Sequence, residues 1–233
     1  ETFDLEDEKT YQLFQRGETI GIFQYESPGM QKHMQHLKPT VFADLIAMNA
    51  LYRPGPMDHI ATYKRRKHGE EKIIYQHPIL EPILRDTYGV IVYQEQIMKI
   101  ASEMAGFTFG EADILRRAVS KKDRQVLDEQ RQHFVTKSIG KSFSSHEAES
   151  VYDLIVRFAD YGFPKSHAVA YSMISYQMAY LKAKYPAYFY ASLLTSAIGN
   201  SDKTLKILQE VKQKKIPLLP PSILKSGLTF RVE

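Results

Sequence analysis

Val90-Ile91-Val92-Tyr93-Gln94-Glu95-Gln96-Ile97-Met98-Lys99-Ile100-Ala101-Ser102-Glu103-Met104-Ala105-Gly106 settles the fold class. A short β-branched run leads into a segment in which Ile97, Ile100, Ala101, Met104 and Ala105 recur at helical spacing until Gly106 stops it. The same period returns downstream around Glu111 to Arg131, His146 to Asp160 and Ser166 to Lys184. The second of these carries Ala148, Val151, Tyr152, Ile155, Phe158 and Ala159 on one stripe. Pro186 ends the long helix, Pro217, Pro220 and Pro221 mark a connection, and Ser201 to Lys215 between them reads as a lysine-rich helix. Upstream, Asp7 and Gly17 cap a helix over Glu8 to Arg16, and a β-type run spans Thr19 to Gln24. Further helices cover Gly29 to Leu37, closed by Pro39, and Phe42 to Leu51, with Arg53-Pro54-Gly55-Pro56 as a stiff turn. The predicted fold is mainly α, multi-helical, with a few short β segments and a soft boundary near Gly199.

With 233 residues, 43% hydrophobic and 12% aromatic, the chain has enough apolar surface for a real core. No apolar run approaches the roughly 18 residues of a membrane span, so no membrane partner is expected. The absence of cysteine excludes disulfides and thiolate metal sites and suits a reducing compartment, read as cytoplasm. Glu1 opens without a start methionine and the end falls in a strand-like pattern, so a fragment is expected. The net charge of +4 hides an asymmetry: residues 1–29 hold seven acids against Lys9 and Arg16, which leaves a larger basic excess on the rest. Such an excess favours an anionic partner, nucleic acid first, although solubility alone also accounts for charge of this size.

Two basic constellations stand out. Gly110 to Lys122 is read as one helix with Leu115, Val119 and Val126 on one face and Arg117, Lys121 and Arg124 on another, Arg116 and Lys122 alongside. Such a row grips a triphosphate through Arg forks and Lys point charges; equally, it is a solvated face with an Asp113 to Arg117 pair. Tyr161-Gly162-Phe163-Pro164-Lys165-Ser166-His167, followed by Tyr171, places aromatics and cations at a helix N-terminus. There free N–H groups with Lys165, Ser166 and His167 suit a phosphate, and Tyr161, Phe163 and Tyr171 offer stacking faces. The alternative is an aromatic core plug. Gln94 and Gln96 could bond a nucleic-acid backbone or a neighbouring loop, and Lys64, Arg65, Arg66 and Lys67 form a basic arm suited to backbone phosphates. His33 and His36 lie one turn apart without a third ligand, so no metal site is expected. Nor do the acids form the strand-borne pair that two-metal phosphoryl transfer needs.

Five ordered stretches together resemble the C-family replicative polymerases of bacteria, the DNA polymerase III alpha subunits. They are Gly21-Ile22-Phe23-Gln24-Tyr25-Glu26-Ser27 with Gly29-Met30, Ala50-Leu51-Tyr52-Arg53-Pro54-Gly55-Pro56, Tyr88-Gly89-Val90 through Gln96, and the two basic constellations. The resemblance implies a fingers domain over 1–198 and, over 199–233, the start of a duplex-binding domain with helix-hairpin-helix elements. It implies binding of dNTP and primer-template DNA, with catalytic aspartates and their Mg²⁺ in a palm outside this chain, so that the fragment alone is inactive. It places Arg116, Arg117, Lys121, Lys122, Lys165, Ser166, His167 and Tyr171 at the nucleotide. Lys64, Arg65, Arg66, Lys67, Gln94, Gln96, Tyr161 and Phe163 then fall to the DNA. A sliding clamp and other replisome subunits would attach mostly elsewhere. Pro164, where Asn is usual, and Val119-Ser120, where Met-Gly is usual, resemble the shorter Gram-positive-type enzyme. The alternative is a non-enzymatic helical nucleic-acid-binding or replisome adaptor module.

Overall fold

The computed structural model describes residues 3–121, 123–159 and 162–233, the side chains of 158 and 159 aside. Among the described residues the protein is mainly helical, with twelve α-helices and three short 3₁₀ turns. They are α1 (Glu8–Arg16), α2 (Pro28–Leu37), α3 (Phe42–Leu51), α4 (Ile60–Lys67), α5 (Glu81–Leu84) and α6 (Gln94–Ala105). Then come α7 (Phe109–Lys121), α8 (Arg124–Gly140), α9 (Ser145–Ala159), α10 (Lys165–Lys184), α11 (Pro186–Ser196) and α12 (Ser201–Gln213). The chain forms two compact units, one of residues 1–42 and 173–233, the other of residues 43–172, and the division falls inside α10. No described helix is long and apolar enough to cross a membrane.

In the first unit local chemistry sets the helix ends. Asp7 accepts the Thr10 N–H at 2.9 Å, and Gly17, at φ +67°, receives the chain after α1. The expected β run Thr19 to Gln24 is instead a series of turns. Ile22 N–H donates to the Thr19 carbonyl and Tyr25 N–H to the Ile22 carbonyl, each at 3.0 Å, and Thr19 Oγ1 donates to the Tyr25 carbonyl at 2.6 Å. Gly21 takes φ +75°, and a Cβ there would lie 2.5 Å from Leu193 Cδ2, so only glycine fits. The carbonyls a strand would have offered to a ladder go to α10. Lys182 Nζ donates to Glu18 O at 2.9 Å and Ile20 O at 2.8 Å, and Ser175 Oγ to Phe23 O at 2.7 Å. Lys182 also meets both oxygens of Glu210 on α12, at 3.1 and 3.0 Å, with its side chain wholly buried. Burial lowers the pKa of Lys182 from the ordinary lysine value, and the Glu210 carboxylate opposes that shift. Around this knot α11 and α12 close on Tyr190, Leu194, Ala197, Ile207 and Val211.

The second unit is built on α6. Ile97, Ile100, Ala101, Met104 and Ala105 enter a core shared with Leu115 and Val119 of α7, Phe134 of α8 and Val151, Tyr152 and Ile155 of α9. Tyr152 hydroxyl donates to the Leu127 carbonyl at 2.6 Å, so the largest ring on α9 buries its polar end on a partner. The helix expected over Glu111 to Arg131 is two. Asp123 accepts the Val126 N–H at 3.3 Å and starts α8 afresh, so Val126 does not continue the face of Leu115 and Val119. Val90 to Val92 is irregular chain without a ladder; the β pairing among the described residues is one parallel bridge, Tyr93 to Phe163. What holds that chain is Gln96. Its Oε1 accepts Val92 N–H at 2.8 Å and Tyr93 N–H at 3.0 Å, and its Nε2 donates to Thr87 Oγ1 at 2.8 Å and Ile83 O at 3.3 Å.

Two stability changes follow. Lys182→Met leaves the Glu210 carboxylate buried without its cation and should cost about 3–5 kcal/mol in urea unfolding. Adding Glu210→Leu should recover part of that loss. Gln96→Met keeps the side-chain length but strands buried N–H groups at 92 and 93, at about 1–3 kcal/mol for each group left unpaired. The midpoint of denaturation should fall without a change in slope.

Candidate functional site

Of the cations singled out in the sequence, those of α7 are fixed from one side. Asp113, one turn earlier, accepts Arg116 Nε at 2.7 Å and pairs with Arg117 Nη2 at 2.8 Å, and these bonds, Arg116 first, hold its carboxyl below the usual aspartate range. The Asp113 to Arg117 pair expected of a solvated face is therefore present. The two arginines are not equivalent. The Arg116 side chain is 27% exposed and Arg117 67%, and Arg116 Nη1 also donates to Gln94 Oε1 at 3.0 Å. Lys121 ends the helix exposed, Arg124 is the first residue of α8, and Lys122 lies outside the described residues.

Gln94 brings the second constellation to the first. Its Nε2 donates to the Gly162 carbonyl at 3.0 Å and to Ser120 Oγ at 3.2 Å while its Oε1 receives Arg116. Gly162 allows this approach, because a Cβ there would sit 3.2 Å from Gln94 Cγ. The turn is then pinned by its backbone, Phe163 N–H to Val92 O and Gln94 N–H to Phe163 O, both 3.1 Å. Pro164 follows where its missing N–H costs nothing, its carbonyl accepting Ala168 N–H at 3.1 Å as α10 begins. Tyr161 lies outside the described residues.

The start of α10 departs from the expectation of free N–H groups beside Lys165, Ser166 and His167. Lys165 N–H donates to both Glu95 oxygens at 2.9 Å, so a carboxylate from α6 already occupies the positive end of the helix dipole. Ser166 is exposed inside the first turn rather than capping it. Lys165 Nζ instead lies 5.4 Å from the centroid of Tyr93. Phe163, His167 and Tyr171 form a ring row: Phe163 meets His167 edge-on at 5.2 Å, and His167 overlies Tyr171 at 4.1 Å and 31°. His167 is exposed.

The other expected DNA contacts separate. Gln96 is 8% exposed with its amide committed to the fold, so it is not presented to a partner. In the basic arm, Arg65 and Arg66 share Glu71, at 2.7 and 2.8 Å, and Lys67 pairs with the buried Asp44 at 2.8 Å. Arg66 Nη1 also donates to the Tyr88 carbonyl at 3.2 Å. Three of its four cations therefore tie α4 to its surroundings, and Lys64, half-buried, is the fourth. Sequence reading missed Arg53, whose guanidinium carbon lies 3.3 Å over the Phe163 ring, and the capping role of Glu95. Both act on partners far along the chain, which no local pattern announces.

Among the described residues no three His, Asp or Glu side chains gather around a point where a metal could sit. The acids of α7 are bonded to cations: Asp113 as above, and Glu111 to Lys137 at 2.6 Å and His133 at 2.9 Å. Residues so committed do not fit a Mg²⁺ pair.

Residues 1–142 match the family model described as the bacterial DNA polymerase III alpha subunit finger domain. The DNA polymerase III subunit alpha of Bacillus subtilis (strain 168) is 58% identical over 227 residues, covering 97% of this chain and 20% of that protein. Its counterpart in Halalkalibacterium halodurans is 56% identical over 229 residues, covering 98% and 20%. That of Staphylococcus epidermidis (strain ATCC 35984) is 50% identical over 231 residues, covering 99% and 22%. The chain thus spans about one fifth of the length of the curated relatives it matches. It belongs to the bacterial DNA polymerase III alpha subunit family, and residues 1–142 match that family's finger domain.

Proposed function

We propose that this chain is the fingers region of a DNA-directed DNA polymerase of replication, which holds the triphosphate of an incoming dNTP and borders the primer-template. Bond formation, and the Mg²⁺ it uses, belong in this reading to palm aspartates elsewhere in a longer polypeptide. The observation that carries it is the Gln94 amide, which joins Arg116 of α7 to the 162 turn before α10 and so puts two basic constellations, distant in sequence, beside one another. Arg117 and Lys121, exposed on the same helix, supply charge that a triphosphate can take up. In this reading Lys165, Ser166, His167 and Tyr171 at the start of α10 complete the nucleotide contacts, with Phe163 and Gln94 toward the nascent pair. Lys64 is what the basic arm has left for a phosphate backbone, with Arg65, exposed and paired to Glu71, the next to yield. Residues 1–198 serve as fingers and 199–233 begin the duplex-binding part. The sliding clamp and other replisome subunits are reached through other regions, in the bacterial cytoplasm at the nucleoid.

A triphosphate site and a merely solvated basic face differ in one respect. Asp113 already pairs both arginines, so a face of that kind binds DNA in a salt-sensitive way and is indifferent to dNTP. In the full-length polymerase, Arg117→Ala should lower kcat/KM for dNTP roughly 10- to 150-fold, the loss of a charge-assisted contact of about 1.5–3 kcal/mol. Steady-state kinetics with unchanged kcat/KM would overturn the assignment of this face to the triphosphate and leave it a solvated basic surface.

A further inference from the structure

Arg53 stands in the stiff turn after α3, where sequence reading gave it no role beyond that turn. Its guanidinium carbon is 3.3 Å from the centroid of the Phe163 ring, a stacking distance, and its Nη2 donates to the Asn49 carbonyl at 3.3 Å. Asn49 Nδ2 in turn donates to Ser172 Oγ on α10 at 3.3 Å, so the turn and the helix that carries His167 are tied by side chains of one strut. Among the described residues no ion pair reaches Arg53. Its charge is compensated by the face of Phe163 and by a backbone carbonyl, and burial lowers its pKa from the ordinary arginine value. A guanidinium kept half-buried without a carboxylate is costly, which makes the contact with the ring its evident purpose.

The ring it covers is not free to turn. Phe163 is held by its own backbone to Val92 and Gln94, its face lies under Arg53, and it meets the imidazole of His167 at 5.2 Å and 75°. His167 then overlies Tyr171 at 4.1 Å. Resting on the fingers reading above, we infer that Arg53 is a positioning residue: it fixes the plane of Phe163 and, through Phe163, the orientation of the His167 imidazole that faces the nucleotide. In this reading Arg53 acts on the nucleotide through Phe163, the ring its guanidinium covers. The role requires arginine, because a planar guanidinium lies flat on a ring where the ammonium of lysine is a point charge. The order of action is Arg53, Phe163, His167, and it predicts that removing the first matters only while the second is present.

The test is a double-mutant cycle in the full-length polymerase. Arg53→Met keeps the volume of the stem and removes the planar charge. It should raise KM for dNTP about 3- to 30-fold with little change in kcat and none in the Kd for primer-template, as loss of a desolvated cation–π contact implies. Phe163→Leu should raise KM for dNTP by at least as much, and in that parameter the double variant should be no worse than Phe163→Leu alone. Arg53→Lys should rescue only in part. Effects of Arg53→Met and Phe163→Leu that multiply, or an unchanged KM in Arg53→Met, overturn the inference. If Arg53→Met unfolds the enzyme, Arg53→Lys paired with Phe163→Leu completes the same cycle. An unaffected Arg117→Ala enzyme would instead defeat the nucleotide site itself, so the two failures are distinguishable.

Discussion

Three consecutive side chains at the start of α6 hold the second unit together. Successive helical residues point about 100° apart, so neighbours in sequence address different segments. Gln94 reaches α7 and the 162 turn, Glu95 caps α10, and Gln96 turns inward to Val92, Tyr93, Thr87 and Ile83. The inward one sets the terms for the other two. An amide buried with donors and acceptors matched fixes where the chain arrives at Tyr93, and a helix that begins there presents Gln94 and Glu95 at fixed angles. The core contacts of Ile97, Ile100 and Met104 supply the energy for this arrangement, and the three polar residues supply its register.

Charge follows the same logic, with each cation read by its partner rather than by its sequence neighbours. The basic arm and the α7 row look alike as strings. In the arm, Lys67 meets a wholly buried Asp44 and Arg66 meets Glu71 and a carbonyl, so its charge is spent on structure. On α7 the single carboxylate of Asp113 serves two arginines, and the outer one remains largely in solvent. Exposed pairs of this kind contribute little to stability, about 0–1 kcal/mol, and they yield readily to a stronger anion. A ligand phosphate would compete with Asp113 for Arg117 far more easily than with Asp44 for Lys67.

Helix limits were legible wherever the stop was local. Asp7 with Gly17 and Gly106 after Ala105 each act on groups within a turn, and the structure places the caps there. What escaped was settled by distant atoms. Thr19 to Gln24 has strand-like composition, but its carbonyls are claimed by Lys182 and Ser175 from α10, and Gly21 fits only against Leu193. Asp123 competes as a cap against continuation of α7 and wins, and Pro186 ends one helix and is also the first residue of the next. At the candidate site, the residue types were legible and their commitments were not: nothing local shows that Gln96 is buried, that Glu95 caps α10, or that Arg53 finds Phe163.

The buried pair of Lys182 and Glu210 shows how far such commitments extend. An apolar replacement of similar volume could fill the same space, and burying two charges costs each its hydration. The lysine, however, makes four bonds, to two carbonyls of the turn after α1 and to both oxygens on α12, and no apolar side chain reproduces their directions. Hydrophobic burial is tolerant of small rotations, whereas these bonds are not. The knot therefore fixes the register of α10 in the first unit as Gln96 fixes α6 in the second. Both use a buried polar side chain to satisfy backbone groups that irregular chain would otherwise leave unpaired, which is what a mainly helical protein needs where its turns carry the motifs.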